Sequence, residues 1–159
     1  MGINNVAKPD SPGVIVFPPV LYVGTLLLGL LLHHFWPTHL FSTLWVRIAG
    51  VVFAVASALI ARWAVKTMLR AGTNILPSQP SLAIVADGPF RHTRNPIYLA
   101  NVLIYLGLAV ALNSLWPVLL LFPMLLVLDR GIIRREERYL EAKFGPTYLA
   151  YKARVRRWI

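Results

Sequence analysis

The sequence has no cysteine, so disulfides, thiolate metal ligands and a cysteine nucleophile are excluded from its chemistry at the outset. Charge is also scarce: 14% of the 159 residues are charged, and only 6 residues are acidic. A soluble globular domain carries about 25% charged residues. There is no glycine-rich strand-to-helix fingerprint of the kind that opens a dinucleotide-binding sheet, which argues against a soluble Rossmann-type domain. Internal repeats and low-complexity tracts are absent too.

What the chain does have is apolar length. Hydrophobic residues make up 57% of it. They gather into four runs, about 14–32, 44–61, 96–112 and 116–133, each near the roughly 20 residues that cross about 30 Å of hydrocarbon. The first run does not read as a signal peptide, because one lysine and one aspartate precede it and no small-residue cleavage pattern follows. The formal charge of +10 would suit nucleic acid, but the cations flank apolar runs too long for a soluble nucleic-acid binder. Membrane lipids with anionic headgroups are the expected partners. The fold expected is all-α, a polytopic membrane protein of about four transmembrane helices, forming a single domain over 1–159.

Orientation follows from the cations. With four spans, both termini and the 62–95 connection share one side. That side holds Lys8, then Arg62, Lys66, Arg70, Arg91 and Arg94, then nine more from Arg130 onward, leaving only Arg47 of the 16 opposite. By the positive-inside tendency the termini and the long connection face the cytoplasm.

Span one opens on Pro18 and Pro19, and nothing catalytic is visible in it. His33, His34 and His39 follow among Phe35, Trp36 and Pro37; without a carboxylate or thiolate neighbour they read as an interfacial aromatic belt, and no metal site is expected. The irregular stretch 71–95 is long for so small a chain, which points to a functional loop, and its apolar run 82–85 should dock on something. Spans three and four are joined by only Asn113, Ser114 and Leu115, so they form an antiparallel hairpin whose far ends are neighbours. Pro123 sits where it could kink span four and open space for a ligand. The polar tail should form a helix through Lys143, break at Gly145 and Pro146, and resume as an amphipathic segment bearing Tyr148, Tyr151, Val155 and Trp158, lying on the bilayer or folding back as a lid.

Two runs carry chemistry, at 88–98 and from 134 onward. In Gly88-Pro89-Phe90-Arg91-His92-Thr93-Arg94-Asn95-Pro96-Ile97-Tyr98, Asn95 has the ordinary reading of an N-cap and Pro96 that of a first helical residue. In Arg134-Arg135-Glu136-Glu137-Arg138-Tyr139-Leu140-Glu141 the ordinary reading is a solvated face laced by i,i+4 pairs. The hairpin changes both readings, because it brings Arg94, Asn95 and Tyr98 near Glu136 and Glu137. A mixed-charge pocket with apolar walls suits a zwitterionic ligand: carboxylates for an amino group or ribose hydroxyls, arginine for a carboxylate.

These runs, with Leu99 after the first and Phe144-Gly145-Pro146-Thr147-Tyr148, Tyr151 and Val155 after the second, resemble the core signature of the isoprenylcysteine carboxyl methyltransferases; related signatures occur in membrane phospholipid methyltransferases. The match covers about 71–159. The resemblance implies an all-helical, multi-pass enzyme, expected in a bacterial inner membrane, that moves a methyl group from S-adenosylmethionine to a lipophilic small molecule or lipid. Carried over by position, Arg94, Asn95, Pro96, Tyr98, Leu99, Glu136, Glu137, Tyr148 and Tyr151 hold the cofactor, with Arg94 and Glu137 as the catalytic pair. The sequence departs from the pattern at Asn95, which replaces a histidine and cannot titrate, and at Ala100, which replaces a glycine.

Methyl transfer to a carboxylate needs alignment and exclusion of water rather than a strong base. An amine or thiol must lose a proton, and Glu136, Glu137 or His92 would then be the candidate bases. Two other readings remain open at this level: a sterol-type reductase using NADPH, and a non-catalytic scaffold binding anionic lipid through its basic tail. The sequence leaves the acceptor and the oligomeric state open.

Overall fold

The computed structural model describes residues 10–159, so Lys8 lies outside the described residues. Proline decides where several helices begin. Because Pro lacks an N–H, it is favoured where the helix has no intrahelical acceptor for one. Accordingly α1 (Pro18–Phe35) starts at Pro18 rather than at residue 14 as the hydropathy suggested, α3 (Pro96–Ala111) at Pro96, and α6 (Pro146–Arg154) at Pro146. Helix α2 (Leu44–Arg70) has 27 residues and continues well past the apolar run that ends at 61. At 1.5 Å per residue it is about 40 Å long, more than about 30 Å of hydrocarbon, which leaves length for its last turns, with Lys66 and Arg70, to extend beyond.

The fourth span and the polar stretch after it are one continuous helix. α4 (Leu115–Val127) passes through a π-helical turn (Leu128–Ile133) into α5 (Arg134–Phe144) without a break. Hydropathy marked a boundary at 133 because side-chain polarity changes there; the backbone has no reason to stop until Gly145, whose φ of +52° is open to glycine and strained for other residues. Pro123 lies within α4, but the helix's irregularity is the π turn, and π turns concentrate at functional sites. Among the described residues there is no strand, and three helical stretches are long and apolar enough to cross a membrane, with α3 a shorter apolar fourth.

Helix α2 packs along α3, and α1 along α4. Small residues permit the first contact: a Cβ on Gly50 would stand 2.7 Å from the Ala111 nitrogen and 2.8 Å from the Gly107 oxygen. α1 meets α4 where Gly29 lies against Pro117. Tyr22, Val102, Tyr105, Met124, Leu128 and Ile132 form the buried core between α1, α3 and α4. Tyr105 donates its hydroxyl proton to the Pro117 carbonyl at 2.8 Å.

At one end of the bundle the two short turns are stitched together. Asn113, at φ +54°, accepts from the Leu40 and Phe41 amides at 3.0 and 2.9 Å and donates to the Phe41 carbonyl at 2.9 Å. The start of α1, the end of α2, the start of α3 and the π turn meet at the other end, where the site lies.

Candidate functional site

The segment before α3 is irregular and pinned from both sides. Gly88–Arg91 forms a 3₁₀ turn whose Phe90 carbonyl accepts from the Tyr151 hydroxyl at 2.9 Å. Beyond it the chain is held by the C-terminal tail. The Arg94 amide donates to the Arg156 carbonyl at 2.9 Å, and the Arg157 carbonyl accepts from Thr93 Oγ1 at 2.9 Å and Asn95 Nδ2 at 3.0 Å. Asn95 precedes α3, yet its side chain makes no cap hydrogen bond. Its amide is spent on the tail instead, which corrects the N-cap reading.

The tail differs from expectation in shape as well. α6 stops at Arg154 and residues 155–159 are not helical, so Trp158 does not continue the face that carries Tyr148 and Tyr151. The segment folds back, and Trp158 packs against the core cluster. Tyr148 and Tyr151 are buried beside 88–95. Burial pushes the Tyr151 hydroxyl up to about 12 and raises Tyr148 as well, so both remain protonated donors at neutral pH.

The i,i+4 lacing expected along α5 is replaced by longer-range pairs. Glu137, with a side chain 6% exposed, accepts from Arg94 Nη2 at 2.9 Å and from Arg157 Nε and Nη2 at 3.1 and 2.6 Å. Arg157 also reaches Asp129 in the π turn at 3.0 Å. Glu141 pairs with Lys152 across the Gly145 break. Asp10, Asp87 and Asp129 each hold a cation too. Glu136 alone of the acidic residues has no cationic partner among the described residues; Tyr98 donates to its Oε1 at 2.6 Å.

Glu136 and Glu137, with Arg94 and Tyr98, line one cavity of about 210 Å³. Arg94, Asn95, Pro96, Tyr98, Glu136, Glu137, Tyr148 and Tyr151, all candidates from the sequence, are in its wall, whereas Leu99 is not. A carboxyl with no cationic partner and a guanidinium with an unpaired N–H thus share a partly apolar cavity. One is the Glu136 carboxylate. The other is Arg94, whose side chain is 8% exposed and whose buried Nε has no hydrogen-bond partner among the described residues. Buried polar atoms are rarely left unpaired, so this guanidinium N–H at the edge of the cavity has room for an acceptor from a bound group or an ordered water.

Other walls come from places sequence reasoning passed over. Phe17, Pro18 and Pro19 bring the start of α1 into the cavity, although span one showed nothing chemical. The 71–95 connection contributes Ala83, Ile84 and Val85, as its apolar run suggested, while Leu82 points outward. That loop is held by Thr73 Oγ1, which accepts from the Leu82 amide at 2.9 Å, and by the Ser81 amide donating to the Tyr139 hydroxyl at 3.1 Å. Pro123 is not in the wall, so the space does not come from a kink there. Asn101, a polar residue in an apolar helix, lines the cavity and was missed; an amide inside a span is itself a signal. No group of residues suited to hold a metal occurs among those described, the histidine-rich turn included.

A family model described as "Phospholipid methyltransferase" matches residues 45–147, well over half of the chain. An uncharacterized protein of Haemophilus influenzae is 46% identical over 65 residues, which cover 40% of this chain and 100% of that protein. No solved structure matches.

Proposed function

The chain belongs to the phospholipid methyltransferase family, which includes the isoprenylcysteine carboxyl methyltransferase-like enzymes, and from that premise we propose that it methylates a lipophilic acceptor using S-adenosylmethionine. The observation that carries the proposal is the pairing of an unneutralised carboxylate, Glu136, with an orphaned guanidinium N–H, Arg94 Nε, in one cavity. A free amino acid moiety presents the complementary charges. Arg94 would take its carboxylate and Glu136 its ammonium, with Asn101 available for a hydroxyl and the apolar walls around the rest. S-adenosylmethionine, when bound, supplies an electrophilic methyl group and leaves as a neutral thioether.

Glu137, expected as the catalytic member, has its carboxylate engaged by two guanidinium groups and is better suited to holding Arg94 in place. Glu136 faces the cavity. If it holds an ammonium it is not free to accept a proton, and the acceptor must then react without a base. A lipophilic carboxylate, prenylcysteine-like or isoprenoid, meets that condition. The acceptor atom would approach from the side of Phe17, Pro18 and Ile97, where the wall is apolar. The family's name favours the other chemistry, a phospholipid amine, for which Glu136 would be the base.

The protein purified in detergent should bind S-adenosylmethionine or S-adenosylhomocysteine saturably, and absence of such binding would sink the proposal. Membranes given methyl-labelled S-adenosylmethionine should yield lipid-soluble label released as volatile methanol by alkali; label that alkali leaves non-volatile, on a water-soluble headgroup, would assign the amine. Glu136→Gln separates the same two chemistries kinetically. For a carboxylate acceptor it weakens cofactor affinity and leaves kcat at saturation nearly unchanged, whereas for an amine kcat falls by about 100-fold or more.

The excess of cations on the long connection and both termini supports an orientation with that side in the cytoplasm and the protein in a bacterial inner membrane. The site is at that end of the bundle, so a water-soluble cofactor would reach it from the cytoplasm and the lipid from the bilayer.

A further inference from the structure

Glu137 raises a question of charge. A carboxylate 6% exposed, 2.9 Å from Arg94, would by itself neutralise that arginine and leave it little attraction for a second anion. Arg157 alters the balance. It forms a two-point contact with the same carboxylate, through Nε at 3.1 Å and Nη2 at 2.6 Å. Its remaining nitrogen goes to Asp129 at 3.0 Å, and Asp129 is shared with Arg134 at 2.6 Å. Glu137 thus faces two cations, one of which needs no other ligand.

The backbone shows that this arginine is held in place rather than draped on the surface. Residues Thr93, Arg94 and Asn95 each donate one hydrogen bond to the carbonyls of Arg156 and Arg157. Trp158 anchors the tail on the core just beyond. The same tripeptide that carries Arg94 into the cavity therefore fixes the register of Arg157 opposite Glu137. Glu137 is about two helical turns and a chain reversal away from α6, which brings Lys152 and its carbonyl against Arg94 from the other side, Nη1 to oxygen at 3.4 Å.

We infer that Arg157 is a positioning residue of the cofactor site: by taking up the charge of Glu137 it leaves Arg94 oriented and electrostatically free for the carboxylate of an amino acid ligand. This rests on the cofactor reading above. It assigns a role in binding to a residue near the end of the chain that touches no part of the cavity. The effect is selective, since it concerns only the anionic end of the ligand. An adenosine thioether without the amino acid moiety should be indifferent to it.

The test compares two probes, S-adenosylhomocysteine and 5′-methylthioadenosine, by calorimetry on the full-length detergent-solubilised protein. Arg157→Gln should weaken S-adenosylhomocysteine by about 10- to 100-fold, the range for hydrogen bonds to charged groups, and change methylthioadenosine by less than about 2-fold. Arg157→Gln combined with Glu137→Gln should recover most of the lost affinity, because Arg94 no longer faces an uncompensated carboxylate. A merely structural role predicts parallel losses for both probes and no recovery, and either result overturns the inference. The single variant keeps Glu137 paired with Arg94, whereas the double variant leaves the Arg94 guanidinium without a carboxylate until the ligand supplies one. Should only the double variant fold, it must still prefer S-adenosylhomocysteine as the parent does, and equal affinity for the two probes would count against Arg157. If the unsubstituted protein binds neither probe, the cofactor reading itself fails and takes this inference with it.

Discussion

The amide of Asn95 donates Nδ2 to the Arg157 carbonyl at 3.0 Å, so what position 95 must supply is a proton donor aimed at the tail. An imidazole N–H can supply the same donor. An asparagine where the resembled pattern has histidine can thus keep the same structural role. Asn95→His should keep S-adenosylhomocysteine affinity within about 3-fold, whereas Asn95→Asp sets an acceptor against a carbonyl. Leaving a buried group unpaired costs about 1–3 kcal/mol, or roughly 5- to 150-fold in any equilibrium that requires the tail to be docked. Titration calorimetry on the two variants checks the ordering. An Asn95→Asp protein that binds as the parent does would show that the contact is incidental.

At the scale of elements, the α2–α3 contact sets the position of Arg94 and its neighbours, because α3 begins immediately after them. A Cβ added at Gly50 would meet backbone atoms at 2.7 and 2.8 Å, and backbone cannot turn aside as a side chain can. Gly50→Val should lower stability by about 1–3 kcal/mol, read as a drop in melting temperature in detergent. Gly24→Ala, with nothing within 4 Å, should melt as the parent does. The helices themselves were legible from hydropathy, and a three-residue turn between spans three and four was enough to bring the two motifs together. Which of two adjacent glutamates is paired with arginine and which is left without a cation was not legible. Neighbouring residues point about 100° apart on a helix, and that rotation depends on the π turn upstream, which has no sequence signature of its own. The pairing of Glu137 with Arg157 was hidden for a similar reason: it closes across the reversal at Gly145, and several arginines of the tail had equal claim to it.

For the molecule as a whole, the charge asymmetry makes a statement about sidedness that the absence of cysteine makes easy to test. Any thiol introduced is the only one in the chain. Ser42, in the turn between α1 and α2, and Ser78, in the 71–95 connection, are both exposed, and they lie at opposite ends of the bundle. Fifteen of the 16 Lys and Arg residues are assigned to the side of Ser78, with only Arg47 opposite, and cytoplasmic loops are the ones enriched in such residues. In spheroplasts, a membrane-impermeant maleimide should therefore label Ser42→Cys, and should label Ser78→Cys only after the membrane is opened. The reverse pattern would put the cavity mouth outside the cytoplasm, where S-adenosylmethionine is not made, and so would remove the soluble cofactor from the site along with the orientation. Labelling of both positions in sealed spheroplasts would instead contradict a bundle that crosses the bilayer between its two ends.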